Sequence, residues 1–325
     1  MTSVALMFGL KLLFRGFLLL AGIWTLTFYL VRLTPGDATN VYWGPQSSKA
    51  SLEILRAQRG LQLPVWEQFQ LWTVRFAQGD WGYSWTRHRP VVEILKEAIP
   101  ATLQLTSLAF AFSFIVGVAW GVLAARYADH AFGHALNFSG LIIYALPAFW
   151  LAALVIFFFS VKLQWLPSSG MSSLFIEEAS LGAQLWDRLR HLILPVAVLG
   201  LAGAAAVSRF VQAQMQNVLR QDFIRLARAK GLSVRAVLLR HALKNALLPV
   251  ITLLGLYLPF LLGGALVIEV VFAWPGMGRV AYEALFSKDY PVLFAVNLIA
   301  AIMTIAGNML ADLLYHLCDP RVRRA

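Results

Sequence analysis

Residues 222–250 read "DFIRLARAKGLSVRAVLLRHALKNALLPV". Arg225, Arg228, Lys230, Arg235, Arg240 and Lys244 crowd this stretch, and Arg220 lies just upstream. The chain on either side is almost uncharged and apolar. Over all 325 residues, 59% are hydrophobic and 13% are charged, about half the charged share of an ordinary soluble domain. So little polar surface cannot cover a water-soluble globule, and the composition points to a membrane. The net charge of +11 does not call for nucleic acid, because basic residues beside apolar spans commonly set topology. The single Cys318 excludes a disulfide framework, and no Cys/His cluster has zinc spacing.

Stretches free of Asp, Glu, Lys and Arg locate the spans at 16–31, 98–125, 131–161, 192–208, 245–268 and 290–311. A helix needs about 20 apolar residues to cross the hydrocarbon core. The 192–208 stretch is short and must extend past Arg209. The first span exceeds the usual apolar core of a signal peptide, and no A-x-A site follows it. It reads as an uncleaved helix. Six spans place both termini on one side. With that side cytoplasmic, the inner segments carry Lys11, Arg15, Arg126, the cluster from Arg209 to Lys244, and Arg321, Arg323 and Arg324. The short outer loops 162–191 and 269–289 carry fewer basic residues, and acids match or outnumber them. The positive-inside rule therefore predicts cytoplasmic termini and a cytoplasmic basic loop.

Within that loop, "KGLS" interrupts a helical pattern. Gly231 fits the position after a helix C-terminus, where a left-handed backbone is needed. Ser233 fits the N-cap of the next helix. The spacing predicts a helix over about 216–230, a tight turn, and a second helix from Val234 running into the fifth span. Phe223, Leu226, Val237 and Leu238 are its expected apolar contacts. A loop that only set topology would need charge alone, whereas a stiff helix–turn–helix with an apolar face is suited to a partner.

The stretch "RLARAKGLSVRAVLLRHALKNALLPV" resembles the EAA-type loop of binding-protein-dependent ABC importer permeases, most closely the peptide and nickel branch. "TPGDATN" (34–40), "GDWGYSW" (79–85), "PATLQLT" (100–106), "SVKLQWLPSSG" (160–170), "GGALVIEVVFAWPGMGRVAYEALFSKDYPVL" (263–293) and "DPRVRR" (319–324) agree in order and spacing. The likeness covers essentially the whole length. Arg225-Leu226-Ala227 stand where the general pattern has Glu-Ala-Ala, and Gly231 lies further from Leu248-Pro249, both as in the peptide branch. The resemblance implies an all-α polytopic membrane protein with six transmembrane helices, cytoplasmic coupling helices and a small extracytoplasmic helical segment. Its expected divisions are 1–31, 32–97, a permease core 98–318 containing the loop 214–245, and a tail 319–325. It implies a bacterial plasma (inner) membrane location, a second homologous permease subunit, two ATPase subunits and an extracytoplasmic solute-binding protein. The cargo would be peptides, nickel or related small solutes.

No G-x-x-x-x-G-K-[ST] cradle occurs, nor any Gly-Lys dipeptide. The chain is therefore expected to be no enzyme and to hold no cofactor, with ATP on the partner subunits. The expected ATPase-docking residues are Arg225, Ala227, Arg228, Ala229, Gly231, Leu232 and Arg235. Small residues admit a partner backbone, Gly231 permits the turn, and the arginines serve as a charged rim. Pro249, Gly263, Gly264 and Glu269 are candidates for the pathway or its gate. Glu269 has a second role open to it, holding the Trp274-Pro275-Gly276 turn by hydrogen bonding. The six histidines are scattered, and no metal site is inferred. In the extracytoplasmic segment, "KASLEILRAQRG" and "VWEQFQLWTVRFAQGD" read as amphipathic helices, the second rich in the tryptophans that favour a membrane interface. An ATP-independent secondary transporter or channel would also have six spans, but it would not need the basic helix–turn–helix.

Overall fold

The computed structural model describes residues 2–33, 53–54, 57, 60–247 and 265–318, with side chains described from 14 to 309 within those ranges. Among them no β-strand forms, apart from an isolated bridge between Tyr83 and Pro90. The helices are α1 (Thr2–Leu33), α2 (Val65–Ala77), α3 (Val91–Arg126), α4 (Ala131–Ala145), α5 (Ala148–Val155), α6 (Leu181–Leu219), α7 (Asp222–Ala229), α8 (Val234–Ala236), α9 (Leu266–Val271), α10 (Met277–Phe286) and α11 (Tyr290–Cys318). Wider π-helical turns extend α5 over Ile156–Lys162 and α8 over Val237–Ala242.

Among the described residues four helices are long and apolar enough to cross a membrane: α1 over Phe14–Arg32, α3, α6, and α11 over Tyr290–Met309. The stretch 131–161 was expected as one span. It divides into α4 and α5, bent by 107°. Pro147 explains the break: a proline disfavours helical backbone at the residue before it, and Leu146 is extended at ψ 133°. If the bent pair is one span, the total is five. Most of the fifth expected span, 245–268, lies outside the described residues, as do the 34–40 motif, the tail 319–325 and most of the expected helix over 49–60.

The parallel pair α3 and α6 forms the centre of the fold, with Ser113 beside Gly200, Gly117 beside Ala204 and Gly121 beside Ser208. Small residues let the two backbones approach. A Cβ on Gly117 would sit 2.8 Å from the Ala204 carbonyl oxygen, and one on Gly121 would sit 2.6 Å from that of Ser208. Interhelical packing of this kind, rather than a hydrophobic drive, holds helices together in lipid. The Ser113 hydroxyl adds a hydrogen bond to the Gly200 carbonyl at 2.8 Å. Outward, Phe14, Phe17, Leu18, Leu26 and Leu30 of α1 are exposed, as the lipid-facing side of a span requires.

Three apolar clusters follow one another along the bundle. At one end, the cap end, α2 packs on α1, α3, α10 and α11, with Phe28 stacked on Phe294 at 5.4 Å and the Trp24 Nε1–H donating to Thr73 Oγ1 at 2.9 Å. A middle cluster joins Ala101, Leu105, Ala152, Val198, Phe272 and Trp274. At the other end, the loop end, the basic segment closes over α3 and α6. The helix α10 lies inside what the charge pattern left as a short loop, 269–289. The long segment before α3 is tied down by Asp289. Its Oδ2 accepts from Ser84 Oγ at 2.5 Å, Thr86 N at 3.0 Å and Thr86 Oγ1 at 2.8 Å.

Candidate coupling site

The helix expected over 216–230 is two helices. Residues 216–219 finish α6; the chain then turns, with the Gln221 amide donating to the Val218 carbonyl at 3.0 Å, and α7 begins at Asp222. A straight continuation would carry Ile224 away from α6. The turn instead folds Ile224 (0% exposed) and Ala227 onto Val211, Met215 and Val218 of α6, Val122 and Ala125 of α3, and Val237, Leu238, Ala242 and Ala246 beyond the next turn.

The end of α7 has the expected chemistry. Gly231 takes φ +76°, and nothing lies within 4 Å of where a Cβ would be, so its backbone rather than its size is required. Its amide donates to the Arg228 carbonyl at 3.0 Å, and the Leu232 amide to that of Ala227 at 3.4 Å. This double return is the Schellman arrangement, which satisfies carbonyls left over at a helix end. Ser233 caps the next helix, its hydroxyl accepting from the Ala236 amide at 3.3 Å.

Two faces result. Of the four apolar residues expected to give this element its contacts, Val237 and Leu238 lie inward, whereas Phe223 and Leu226 do not. They stand 38% and 57% exposed, beside Leu232 at 41% and Val234 at 62%. Of the expected docking residues, Ala227 faces inward, whereas Arg225, Arg228, Ala229, Gly231, Leu232 and Arg235 are exposed. Ile224, the anchor of the inner face, was not singled out from the sequence. Its spacing of three from Ala227 is the signal that marks a shared helix face.

At the cap end, Glu269 is fully buried. Its carboxylate accepts from Thr102 Oγ1 at 2.7 Å and from the Arg279 amide at 3.0 Å. The Thr102 hydroxyl in turn accepts from the Met277 amide at 2.7 Å. The Glu269 carbonyl accepts from the Trp274 amide at 2.8 Å, and Trp274 Nε1–H donates to the Ala101 carbonyl at 2.8 Å. A Cβ on Gly276 would fall 2.4 Å from Glu269 Cδ. Glu269 thus holds the 274–276 turn against α3 and gives an acceptor to an amide at the N-terminus of α10 that has no partner within the helix. Pro249, Gly263 and Gly264 lie outside the described residues. Among the described residues no group of three His, Cys, Asp or Glu could hold a metal ion.

Also at the cap end, Glu283 of α10 receives Arg87 Nη2 at 2.5 Å and Arg279 Nε at 2.8 Å. Partial burial works against its charge, but the two arginine hydrogen bonds outweigh it and hold the carboxyl below the usual range.

A family model described as "Binding-protein-dependent transport system inner membrane component" matches residues 117–324. A companion N-terminal model matches residues 5–106. The chain is 37% identical over 305 residues to the oligopeptide transport system permease protein AppB of Bacillus subtilis, covering 94% of this chain and 95% of that one. It is 38% identical over 316 residues to the di/tripeptide transport system permease protein DppB of Pseudomonas aeruginosa, covering 93% and 94%. It is 38% identical over 302 residues to the glutathione transport system permease protein GsiC of Escherichia coli, covering 92% of each. The fold matches a chain of the inward-facing MetNI methionine ABC transporter with a TM-score of 0.56 at 17% identity, covering 70% of this chain and 97% of that one. With its apolar spans, its central helix pair and its basic turn in place, the chain belongs to the family of binding-protein-dependent transport system inner membrane components.

Proposed function

We propose that this chain is a permease subunit of an ABC importer for peptides, and that separate ATPase subunits drive it through the α7–α8 element. The observation that carries this reading is the two-sided character of α7. One side offers Phe223, Leu226 and the following Leu232 and Val234 to solvent, while Ile224 and Ala227 on the other are buried against the ends of both α3 and α6. A partner that grips the exposed side moves the two central spans with it. Exposed apolar side chains beside a rigid inner face make a handle; a loop that only set topology would need neither. A ligand shifts such an equilibrium only by its differential affinity for the two states, so nucleotide in the partner must change how it holds this handle.

On this reading the assembly holds a second homologous permease beside this one, two ATPases at the loop end, and a solute-binding protein delivering cargo at the cap end. The loop end and both termini are cytoplasmic on this reading, in agreement with the basic residues there. Peptide cargo is favoured over nickel by the names of the relatives. The test is uptake of a labelled dipeptide and a labelled oligopeptide into proteoliposomes holding the permease pair, the ATPases and the binding protein. Uptake that requires ATP and all components supports the reading. Accumulation by the permease pair alone refutes it in favour of an ATP-independent transporter.

A further inference from the structure

We infer that the cleft which receives the α7–α8 element has an apolar floor and an acidic rim. This rests on the docking reading above and specifies the chemistry of the partner. Arg220, Arg225, Arg228, Lys230 and Arg235 are all exposed around Phe223, Leu226, Leu232 and Val234. The described partners for these cations amount to one ion pair, Arg225 with Asp222 at 3.3 Å, whose side chains are 76% and 94% exposed. Exposed pairs of that kind hold little energy. The surface therefore keeps most of its positive charge while presenting apolar groups in the same patch. Burying both together on a partner requires carboxylates at the edge, because a cation removed from water without a partner is costly.

Anionic lipid headgroups are the other candidate for these cations. On the docking reading above the ATPase is the occupant, and the disc compositions in the experiment below separate it from headgroups.

The test uses the intact permease in nanodiscs, together with the ATPase subunits that co-purify with it. Association is measured as salt is raised from about 50 mM to about 500 mM, which shortens the screening distance from about 14 Å to about 4 Å. The expected result in discs of phosphatidylcholine alone is at least a tenfold loss of affinity across that range. Arg228→Glu and Arg235→Glu are each expected to slow association by about tenfold, as loss of electrostatic steering does. Both side chains are exposed, so unchanged thermal melting of the variants confirms that the fold is intact. Tight binding that ignores salt and both substitutions overturns the acidic rim and leaves docking standing. Salt dependence seen only in discs containing phosphatidylglycerol also overturns it, in favour of headgroups. Absence of any ATPase association, for the parent as well as the variants, removes the docking reading itself.

Discussion

Truncating Ile224 to alanine separates gripping the handle from moving the spans. Ile224 is 0% exposed and sits among Val211, Met215, Val218, Val237 and Leu238. Removing a fully buried aliphatic side chain to alanine costs about 2–5 kcal/mol. Within α7 the buried residues are Ile224 and Ala227, and Ala227 has little side chain to lose. The cost therefore falls on the contact between this helix and the ends of α3 and α6, not on the fold as a whole. At about 1.4 kcal/mol per factor of ten, even the lower limit raises the undocked population of α7 roughly 30-fold. Trypsin reads this population directly, because Arg225, Arg228 and Lys230 are exposed but held in the helix and its closing turn. When reclosing outpaces cleavage, the cleavage rate follows the open population. The variant is expected to be cut faster at these three sites. It is also expected to keep its ATPase affinity, through Phe223, Leu226, Leu232 and Val234, while losing peptide uptake. Phe223→Ala is expected to do the reverse, with weakened ATPase binding and ordinary trypsin resistance. If Ile224→Ala leaves both cleavage and the ratio of peptide moved to ATP hydrolysed unchanged, the mechanical role assigned to the inner face is wrong.

The cap end yields three further expectations. Gly276→Ala would place a Cβ 2.4 Å from Glu269 Cδ and push the carboxylate off Thr102. A loss of about 1–3 kcal/mol is expected, read by thermal melting in detergent, and in combination with Glu269→Ala the two losses should be clearly less than additive. Asp289→Ala strips the acceptor from Ser84 Oγ, Thr86 N and Thr86 Oγ1. About 2–3 kcal/mol of destabilisation is expected for lost bonds to a charged acceptor, with faster trypsin cleavage at Arg87 and Arg89. For Glu283, a folded-state pKa below the ordinary value means that its stabilising contribution is complete above about pH 4.3. That contribution is lost as pH falls through the lowered value. The melting difference between the parent and Glu283→Gln should therefore stay constant from neutral pH to about pH 5 and shrink only below the ordinary glutamate range.

Much of the architecture was legible because lipid makes strict demands. Charge-free stretches found four of the spans, and the positions of Gly231 and Ser233 followed from helix-end chemistry alone. What stayed hidden depended on how the chain folds back. The 131–161 stretch carries no charge to mark a break, so only the backbone rule before Pro147 could have divided it. The helix predicted through 216–230 missed the turn at 220–221 because no glycine or proline punctuates it; the turn exists to bring Ile224 onto Met215. Phe223, Leu226, Val237 and Leu238 were expected to give the element its apolar contacts without a division between inner and outer faces, and the small Ala227 shares the inner face with Ile224. Helix phase, not size, decided which residues are buried. The Asp289 clasp joins residues more than 200 positions apart in sequence, and no local pattern announces it. Glu269 was more accessible to sequence reasoning, since an isolated carboxylate beside a Trp-Pro-Gly turn must find donors, and Thr102 with the Arg279 amide supplies them.

The central claim is that a separate ATPase grips the exposed face of α7. A photo-crosslinking amino acid placed at Leu226, which is 57% exposed, tests it in native membranes without disturbing the buried side. The predicted product joins the permease to an ATP-binding subunit, and its yield changes when nucleotide is trapped in the hydrolysis transition state. Crosslinks confined to lipid, or a product formed only from the opposite side of the membrane, would contradict the account.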